Sequence, residues 1–508
     1  MKKTILYAAA ILVSSSFALQ SCSDFLEQQN PSVVSSDNYW NNKEEAEAML
    51  AGCYNVLQQQ GLYYNYYNSA DPRALDGFGT TDGASGWWFW SPAEMALTWG
   101  EMSPSCNLVT IVWDLCYKGI ARCNEVIKYV PEMGADKISK DDANRIVAEA
   151  KFLRAFYYNY LTSLYRDVPL CIEPTKDGYM PVSKKGDVMD WIANDLEQVL
   201  NAGALPKTVS PDERGRATLG AGWGLLCRIY LYNEKWDKAL SASQKVMELG
   251  YSLEPDYLTL FSEAGCTSNE IVFSVRFSAT ADGADNKMRG FLSTRNNDEY
   301  FTPIVVTQKI LDEYYDKDGN PIADSPYDSS QLIDPAYRDP RWGYNFCGIK
   351  EDWTSEDWVN WTQVLTGHIN KYQDYTVTEK FYDDQDYYVI RYADILLMRA
   401  EALVKTGKDS DAMKLIDQVR DRASVRMPHV TQKEIDLLGG AMNLIKHERR
   451  VELAFEGFRY VDLRRWGDYD QLTETKAVGV DRARVWPIPQ KEIDNNKAIV
   501  QASEWSGE

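Results

Sequence analysis

Trp87, Trp88, Phe89 and Trp90 stand in a row within "ASGWWFWSPAE", with Gly86 before them and Pro92 soon after. Large aromatics on a segment bounded by turn residues suit the capture of a ring-shaped ligand. A pyranose has an apolar face of C–H groups and a rim of hydroxyls, so flat indoles can cover the face while acids and amides take the rim. Burial of that face contributes on the order of 25 cal/mol per Å² of apolar area, so several rings in an arc are needed for useful affinity. The alternative is that these rings anchor the loop to the body. Alternating side chains cannot all face one ligand, so among Trp87, Trp88 and Trp90 at least one is expected to be exposed. Candidate partners are Tyr63, Tyr64, Asp71 and Asp76 in "GLYYNYYNSADPRALD", Asp82 on the approach to the loop, and Asn286, Arg289, Arg295 and Asn296 further along. Trp353, Trp358 and Trp361 form a second aromatic group.

Catalytic constellations are scarcer. "HERRV" from His447 has Val451 where a zinc-protease helix needs its second histidine. "GASG" at 83–86 lacks the spacing of a nucleophile elbow. "DKDGNP" from Asp316 sets Asp318 and Asn320 at calcium-loop offsets, but Pro321 occupies the glycine position, which predicts a plain turn. There is no phosphate-cradling glycine loop, and three histidines leave little material for a metal centre or a histidine base, so no metal or cofactor is expected. Glycoside hydrolysis needs only two suitably separated carboxylates, and 75 acids keep that class open.

The elements that must position these residues are mainly helical. Ala46, Met49, Leu50, Cys53 and Leu57 recur at helical spacing behind an Asn42 N-cap and Glu45, predicting a helix near 43–60. Residues 143–165, 217–249 and 391–422 are similarly periodic. Trp223, Leu226, Tyr230 and Ala239 follow the tetratricopeptide offsets, with a turn at Asn233 to Lys235. Leu396, Ala400, Leu403 and Ala412 repeat the pattern more weakly around Gly407. The expected fold is mainly α, with tetratricopeptide-like helix pairs in an α-solenoid; an ordinary helical domain is the alternative. Residues 251–390, rich in Asp, Asn, Gly, Tyr and Trp, read as a large irregular insert with short β segments such as "EIVFSVRF". So much Trp and Tyr argues against disorder there.

The 508 residues carry a formal charge of −21, which repels nucleic acid and anionic membrane surfaces. Lys2 and Lys3 precede an uncharged stretch from Thr4 to Ser23, and "LQSC" ends it at Cys22, which predicts a signal peptide over 1–21 and lipidation of Cys22. A single spanning helix is the alternative, but Ser14 to Ser16, Gln20 and the lack of a positive stop-transfer cluster speak against it. Losing the two lysines takes the charge from −21 to −23, and lipid then anchors a soluble body. Eight cysteines remain, too scattered for a disulfide scaffold; most are expected to be buried and reduced, with one bridge open among Cys106, Cys116 and Cys123.

"SCSDFLEQQNP", "AEAKFLRAFYYNYLTSLYRDVPL", "RDPRW" at 338–342, "VIRYADILLMRAEAL", "HERRVELAFEGFRYVDLRRWG" and "VWPIPQKEIDNN" together resemble the SusD/RagB family, in that family's order and over nearly the whole mature chain. The resemblance implies an outer-membrane lipoprotein facing the cell exterior. It also implies nutrient binding, usually of glycans, above a SusC-like TonB-dependent transporter, and four helix-pair repeats carrying an irregular ligand region. No individual site residue transfers, because that region is variable. The ending "NNKAIVQASEW" departs from the family's usual Asn-Pro and Gln-Asn pairs and leaves the docking of the tail open. The expected organisation is a leader at 1–21 and a body at 22–508, divided into helix pairs at 22–250, a ligand-binding insert at 251–390 and a helical part at 391–508. In "HERRVELAFEGFRYVDLRRW", Glu448, Glu452 and Glu456, interleaved with Arg449 and Arg450, are expected on one face of a solvated, ion-paired helix rather than in a catalytic site. A secreted helical glycoside hydrolase and a peptide-binding repeat scaffold are the competing functional readings.

Overall fold

The structure is a computed structural model; it describes residues 39–59, 61–63, 72–85, 96–97, 102–175, 179–278, 304–347, 367–374, 384–472 and 482–506. Its longer helices are α1 (Lys43–Asn55), α2 (Pro72–Phe78), α3 (Asn107–Tyr129), α4 (Lys140–Tyr165), α5 (Lys185–Asn201), α6 (Leu219–Tyr232), α7 (Trp236–Met247), α8 (Tyr392–Lys405), α9 (Asp409–Arg420), α10 (Gln432–Leu438), α11 (Ala441–Glu452) and α12 (Arg459–Trp466). Their starts are written in the sequence. Asn42 accepts from the Glu45 N–H (2.9 Å), Ser139 from Asp142 (3.1 Å) and Thr218 from Ala221 (3.2 Å), each satisfying an amide that the helix cannot.

The helices pack side by side in an unbroken array, α1 on α3, then α4, α5, α6, α7, α8 and α9 in turn. The expected helix pairs are present, and Gly407, at φ +75°, makes the turn between α8 and α9. The small position of each second helix, Ala239 and Ala412, is fully buried. Helix α8 docks on α7 although residues 251–390 separate them in sequence, so the chain leaves the array, builds the insert and resumes it.

Among its described residues the insert contributes one-turn helices and strands rather than loop alone. Strands β1 (Gly83–Ser85), β5 (Ile304–Val306), β7 (Gly367–Ile369) and β6 (Phe346–Cys347) form one antiparallel sheet in that order. Two antiparallel pairs join β2 (Val168–Pro169) to β3 (Val182–Ser183), and β4 (Ile271–Val275), the predicted "EIVFSVRF" run, to β8 (Tyr387–Arg391). The tail docks as well: Trp505 is buried and donates to the Val485 carbonyl (2.9 Å), and Gln501 donates to the carbonyl of Ile488 (2.9 Å) and accepts from its N–H (2.9 Å). All eight described cysteines are free thiols, so the bridge left open among Cys106, Cys116 and Cys123 is not formed. Burial pushes the Cys116 thiol well up, out of the reactive range.

The acidic stretch of α11 is neither solvated nor on one continuous helix. α11 ends at Glu452, and Phe455, at φ +55°, turns the chain so that Glu456 comes from beyond the helix. Glu448, Glu452 and Glu456 are buried against cations from separate segments. Arg341 of "RDPRW" reaches Asp339 (2.8 Å), Glu448 (2.6 Å) and Glu452 (3.0 Å). Arg391 reaches Glu270 (2.8 Å), Glu452 (2.8 Å) and Glu456 (2.7 Å). Arg422 joins Glu270 (2.7 Å) to Glu452 (3.0 Å), Arg420 joins Glu434 (2.7 Å) to Glu448 (2.9 Å), and Lys371 takes Glu456 (2.6 Å). Buried charges survive only when paired and hydrogen-bonded in this way. The network ties the insert, α8, α9 and α11 into one body.

Candidate functional site

The four-stranded sheet is the platform to which the sequence-predicted binding segments connect. β-Branched residues at 304–306 suit a half-buried strand, and alternation sets Ile304 and Val306 inward while Val305 is only partly covered. The register places Ala84, Val305, His368 and Cys347 in one row across the sheet. Phe346, Ile369, Ile304 and Val306 form the core side.

The register also fixes where the connecting segments meet the body. Ser85 pairs with Ile304, so the chain leaving β1 toward Gly86 and the chain entering β5 from residue 303 join the sheet at adjacent positions. β6 ends at Cys347 and β7 begins at Gly367, which pairs with Val306 at the other end of β5. The aromatic segment and the segment holding Asn286, Arg289, Arg295 and Asn296 therefore connect at one end of the sheet, and the segment holding Trp353, Trp358 and Trp361 at the opposite end. Trp87, Trp88, Trp90, Tyr64, Asp71, Asn286, Arg289, Arg295, Asn296, Trp353, Trp358, Trp361 and Cys22 themselves lie outside the described residues.

The other three sequence-predicted residues are inside the body. Tyr63 is buried, with its ring against Tyr387 (4.6 Å between centroids) and Phe156 (6.0 Å). Asp76 accepts from the N–H groups of Gly457 (2.8 Å) and Tyr460 (3.0 Å) at the start of α12, and burial pushes its carboxyl up to about 7 against those bonds. Asp82, expected on a ligand rim, is instead the clamp beneath β1. It is 4% exposed, receives Arg450 Nε at 3.1 Å on both oxygens and has Arg459 Nε at 3.4 Å. Arg450 also engages Glu313, which His447 Nδ1 meets at 2.8 Å. Burial works to raise the Glu313 carboxyl, but Arg450 and His447 prevail and hold it at about 2. The Asp82 carbonyl accepts from Thr307 N–H (2.9 Å), which holds β1 to β5. These residues position the platform rather than face a ligand.

His368 was not singled out by sequence. It is 4% exposed, neither ring nitrogen has a hydrogen-bond partner among the described residues, and burial lowers its pKa to about 4, so it stands in the sheet as a neutral imidazole. A histidine inside a three-residue strand gives no sequence signal, because its lack of partners is a property of the fold. Asp316 behaves as the predicted turn: its carboxylate is taken up by the Asn320 N–H (2.9 Å), the Asn320 amide and the Ser325 hydroxyl (2.7 Å). Among the described residues no group of three or more His, Cys, Asp or Glu could hold a metal ion, and no helix is long and apolar enough to cross a membrane.

The chain matches a family model described as "SusD family" over residues 269–485 and one described as "Starch-binding associating with outer membrane" over residues 24–231. It belongs to the SusD family. SusD-like protein P25 of Formosa agariphila is 24% identical over 539 residues, covering 96% of each chain. Starch-binding protein SusD of Bacteroides thetaiotaomicron is 26% identical over 415 residues, covering 70% of this chain and 72% of its own. Among solved structures, a SusD-like carbohydrate binding protein from Bacteroides fragilis superimposes with a TM-score of 0.75 at 24% identity, over 91% of this chain and 99% of that one. A laminarin binding SusD-like protein gives 0.72 at 24% identity, over 91% and 100%. The fold, a helix-pair array with a strand-bearing insert, is therefore that of the SusD-like proteins.

Proposed function

We propose that this chain is a lipoprotein anchored in the outer membrane through Cys22, which captures oligosaccharides outside the cell and delivers them, unaltered, to a SusC-like TonB-dependent transporter. Family membership, carried by two matches that together take in most of the mature chain, is the observation that supports it most. Relatives described as starch-binding and laminarin binding make a glycan the favoured ligand class. The pairing of Ser85 with Ile304 supports a shared surface, since it lets the tryptophan-bearing segment and the segment with Asn286, Arg289, Arg295 and Asn296 start side by side. Stacking by the first and hydrogen bonding by the second is what recognition of a pyranose needs. The residues 22–250, 251–390 and 391–508 then divide the labour between scaffold, ligand region and closing helices.

Affinity electrophoresis against a polysaccharide panel, run beside a reducing-sugar assay, tests this. Retardation by at least one polysaccharide without release of reducing ends is expected. Release of reducing ends would replace the binding reading with a hydrolase, and neither response would favour a peptide-binding scaffold.

A further inference from the structure

A pocket of about 290 Å³ opens between α1, the Arg214–Gly215–Arg216 bend before α6, and the end of β4. None of the residues proposed above for glycan capture lines it. Its floor is apolar, from Leu50, Leu57 and Val275, and its rim carries three arginines that differ in how they are paired.

Arg216 is spoken for. Glu149 accepts from its Nε and Nη2 (2.9 Å each), and Glu47 lies 3.0 Å and Glu213 3.5 Å away. Arg214 spends Nε (3.0 Å) and Nη2 (3.5 Å) on buried Asp386, which leaves Nη1 without a partner among the described residues. Arg276 is exposed, donates from Nη1 to the Asp212 carbonyl (2.9 Å), and pairs with no carboxylate among the described residues. Its own carbonyl accepts from Gln58 Nε2 (2.7 Å), which fixes this strand end against the segment after α1. Gly215, at φ +90°, adopts a backbone that L side chains rarely take and lets the bend pass close to Arg276. In a chain of net charge −21, a guanidinium at a pocket mouth with no acid paired to it among the described residues is a place for an anionic ligand group.

We propose that this pocket is a second ligand site, for a small molecule that joins one apolar face to a carboxylate, and that an acidic monosaccharide is the class that fits. The volume is at the lower end of small-molecule pockets, about 300–1,000 Å³, and so admits a single ring rather than a chain. Leu50, Leu57 and Val275 cover the C–H face. The planar fork of Arg276, with Arg214 on the same rim, takes the carboxylate, and Gln58 Oε1, which accepts no hydrogen bond among the described residues, is placed to receive a hydroxyl.

Calorimetric titration of the full mature protein with D-glucuronate, with D-glucose and acetate as comparisons, tests the site. Saturable binding of glucuronate is expected, with neither glucose nor acetate matching it. Arg276→Ala should weaken binding about tenfold or more, the loss of one charge-assisted contact. Arg276 is exposed, so this variant keeps its fold, which urea unfolding verifies. Ala51→Phe, which fills the pocket without removing a cation, should abolish binding. Absence of saturable binding better than about 10 mM overturns the proposal. So does glucuronate affinity unchanged in both variants. Acetate binding as tightly as glucuronate would reduce the pocket to an anion hole and overturn it as well.

Discussion

Replacing Arg391 by Met tests whether the buried ion network holds the insert to the helix array. The side chain is fully buried and donates from Nε and Nη2 to Glu456 (2.7 and 2.8 Å), from Nη1 to Glu270 and Glu452 (2.8 Å each), and from Nη2 to the Glu452 carbonyl (2.9 Å). Met fills much of the same length, so the cavity contribution is small and the loss is electrostatic. Glu456 keeps Lys371, Glu270 keeps Arg422, and Glu452 keeps Arg341 and Arg422, so no carboxylate is left wholly unpaired. Removing one partner of a buried pair costs about 3–5 kcal/mol, and the surviving partners place this variant toward the lower part of that range. In a chain this long the unfolding entropy is large, roughly 1 kcal/mol per degree, so the melting temperature moves only a few degrees; urea midpoints at low salt are the better assay. The pH dependence supplies a second check. Burial alone would raise the Glu448 carboxyl, but Arg341 and Arg420 hold it at about 2, and Arg391, Arg422 and Arg341 hold Glu452 well below the ordinary carboxylate range against the same burial. Groups depressed in the folded state contribute stability above their unfolded values, near 4.5, and lose it as pH falls through the folded values. Arg391→Met, being less stable at pH 7, should reach its acid transition at higher pH, while the folded value of Glu452 rises toward its unfolded one. The gap to wild type should also narrow below about pH 4, where protonating one carboxylate relieves the strain. A loss under about 1 kcal/mol at pH 7, or a gap that does not change with pH, would refute this account.

The other expected outcomes concern anchoring, the loop and a buried acid. Cys22→Ala should release the protein from the membrane as soluble or precursor material, followed by fractionation and immunoblotting; a variant that stays membrane-bound with its leader intact would point to a spanning helix. Native protein extracted in gentle detergent should copurify with a TonB-dependent barrel, and recovery as a free monomer would count against the delivery role. Alanine variants of Trp87, Trp88 and Trp90, read by both affinity gel and thermal unfolding, separate the two uses of the loop. A ligand platform loses glycan retention at nearly constant stability, whereas a buried anchor loses about 3–5 kcal/mol. If every variant is destabilised while retention persists, the site should be sought at Trp353, Trp358 and Trp361. Asp76, pushed up to about 7 by burial, binds a proton in the folded state that the unfolded chain gives up near pH 4, so its contribution falls as pH rises through 7. Asp76→Asn should remove that part of the decline in the urea midpoint between about pH 4 and 7, and an unaltered slope would show that Asp76 stays ionised throughout.

The helix array was legible because its signals are local: caps one turn ahead and apolar residues repeating within a single helix. The sheet was not, because strands of two to five residues carry too few alternations, and β1 finds its partner at Ile304, far along the chain. Asp82 shows the same limit from the side of function. Its nearness in sequence to the aromatic run made it a plausible ligand contact, yet its partner is Arg450, 368 positions away. The α11 acids were rightly read as ion-paired, but their burial could not be, because the cations come from Arg341, Arg391, Arg420 and Arg422 on other segments. Sequence reveals which residues carry charge, whereas solvation and pairing are settled only when distant segments meet. The same reasoning separates Arg276 from the other arginines at its pocket. All three look alike in "RGR" and "SVRF", and only the fold shows that Arg216 and Arg214 have been given acids while Arg276 has none among the described residues. Where Arg341, Arg391, Arg420 and Arg422 meet carboxylates of the chain itself, an arginine at a pocket mouth with no acid partner among the described residues marks a place where an anion from outside can complete the pair.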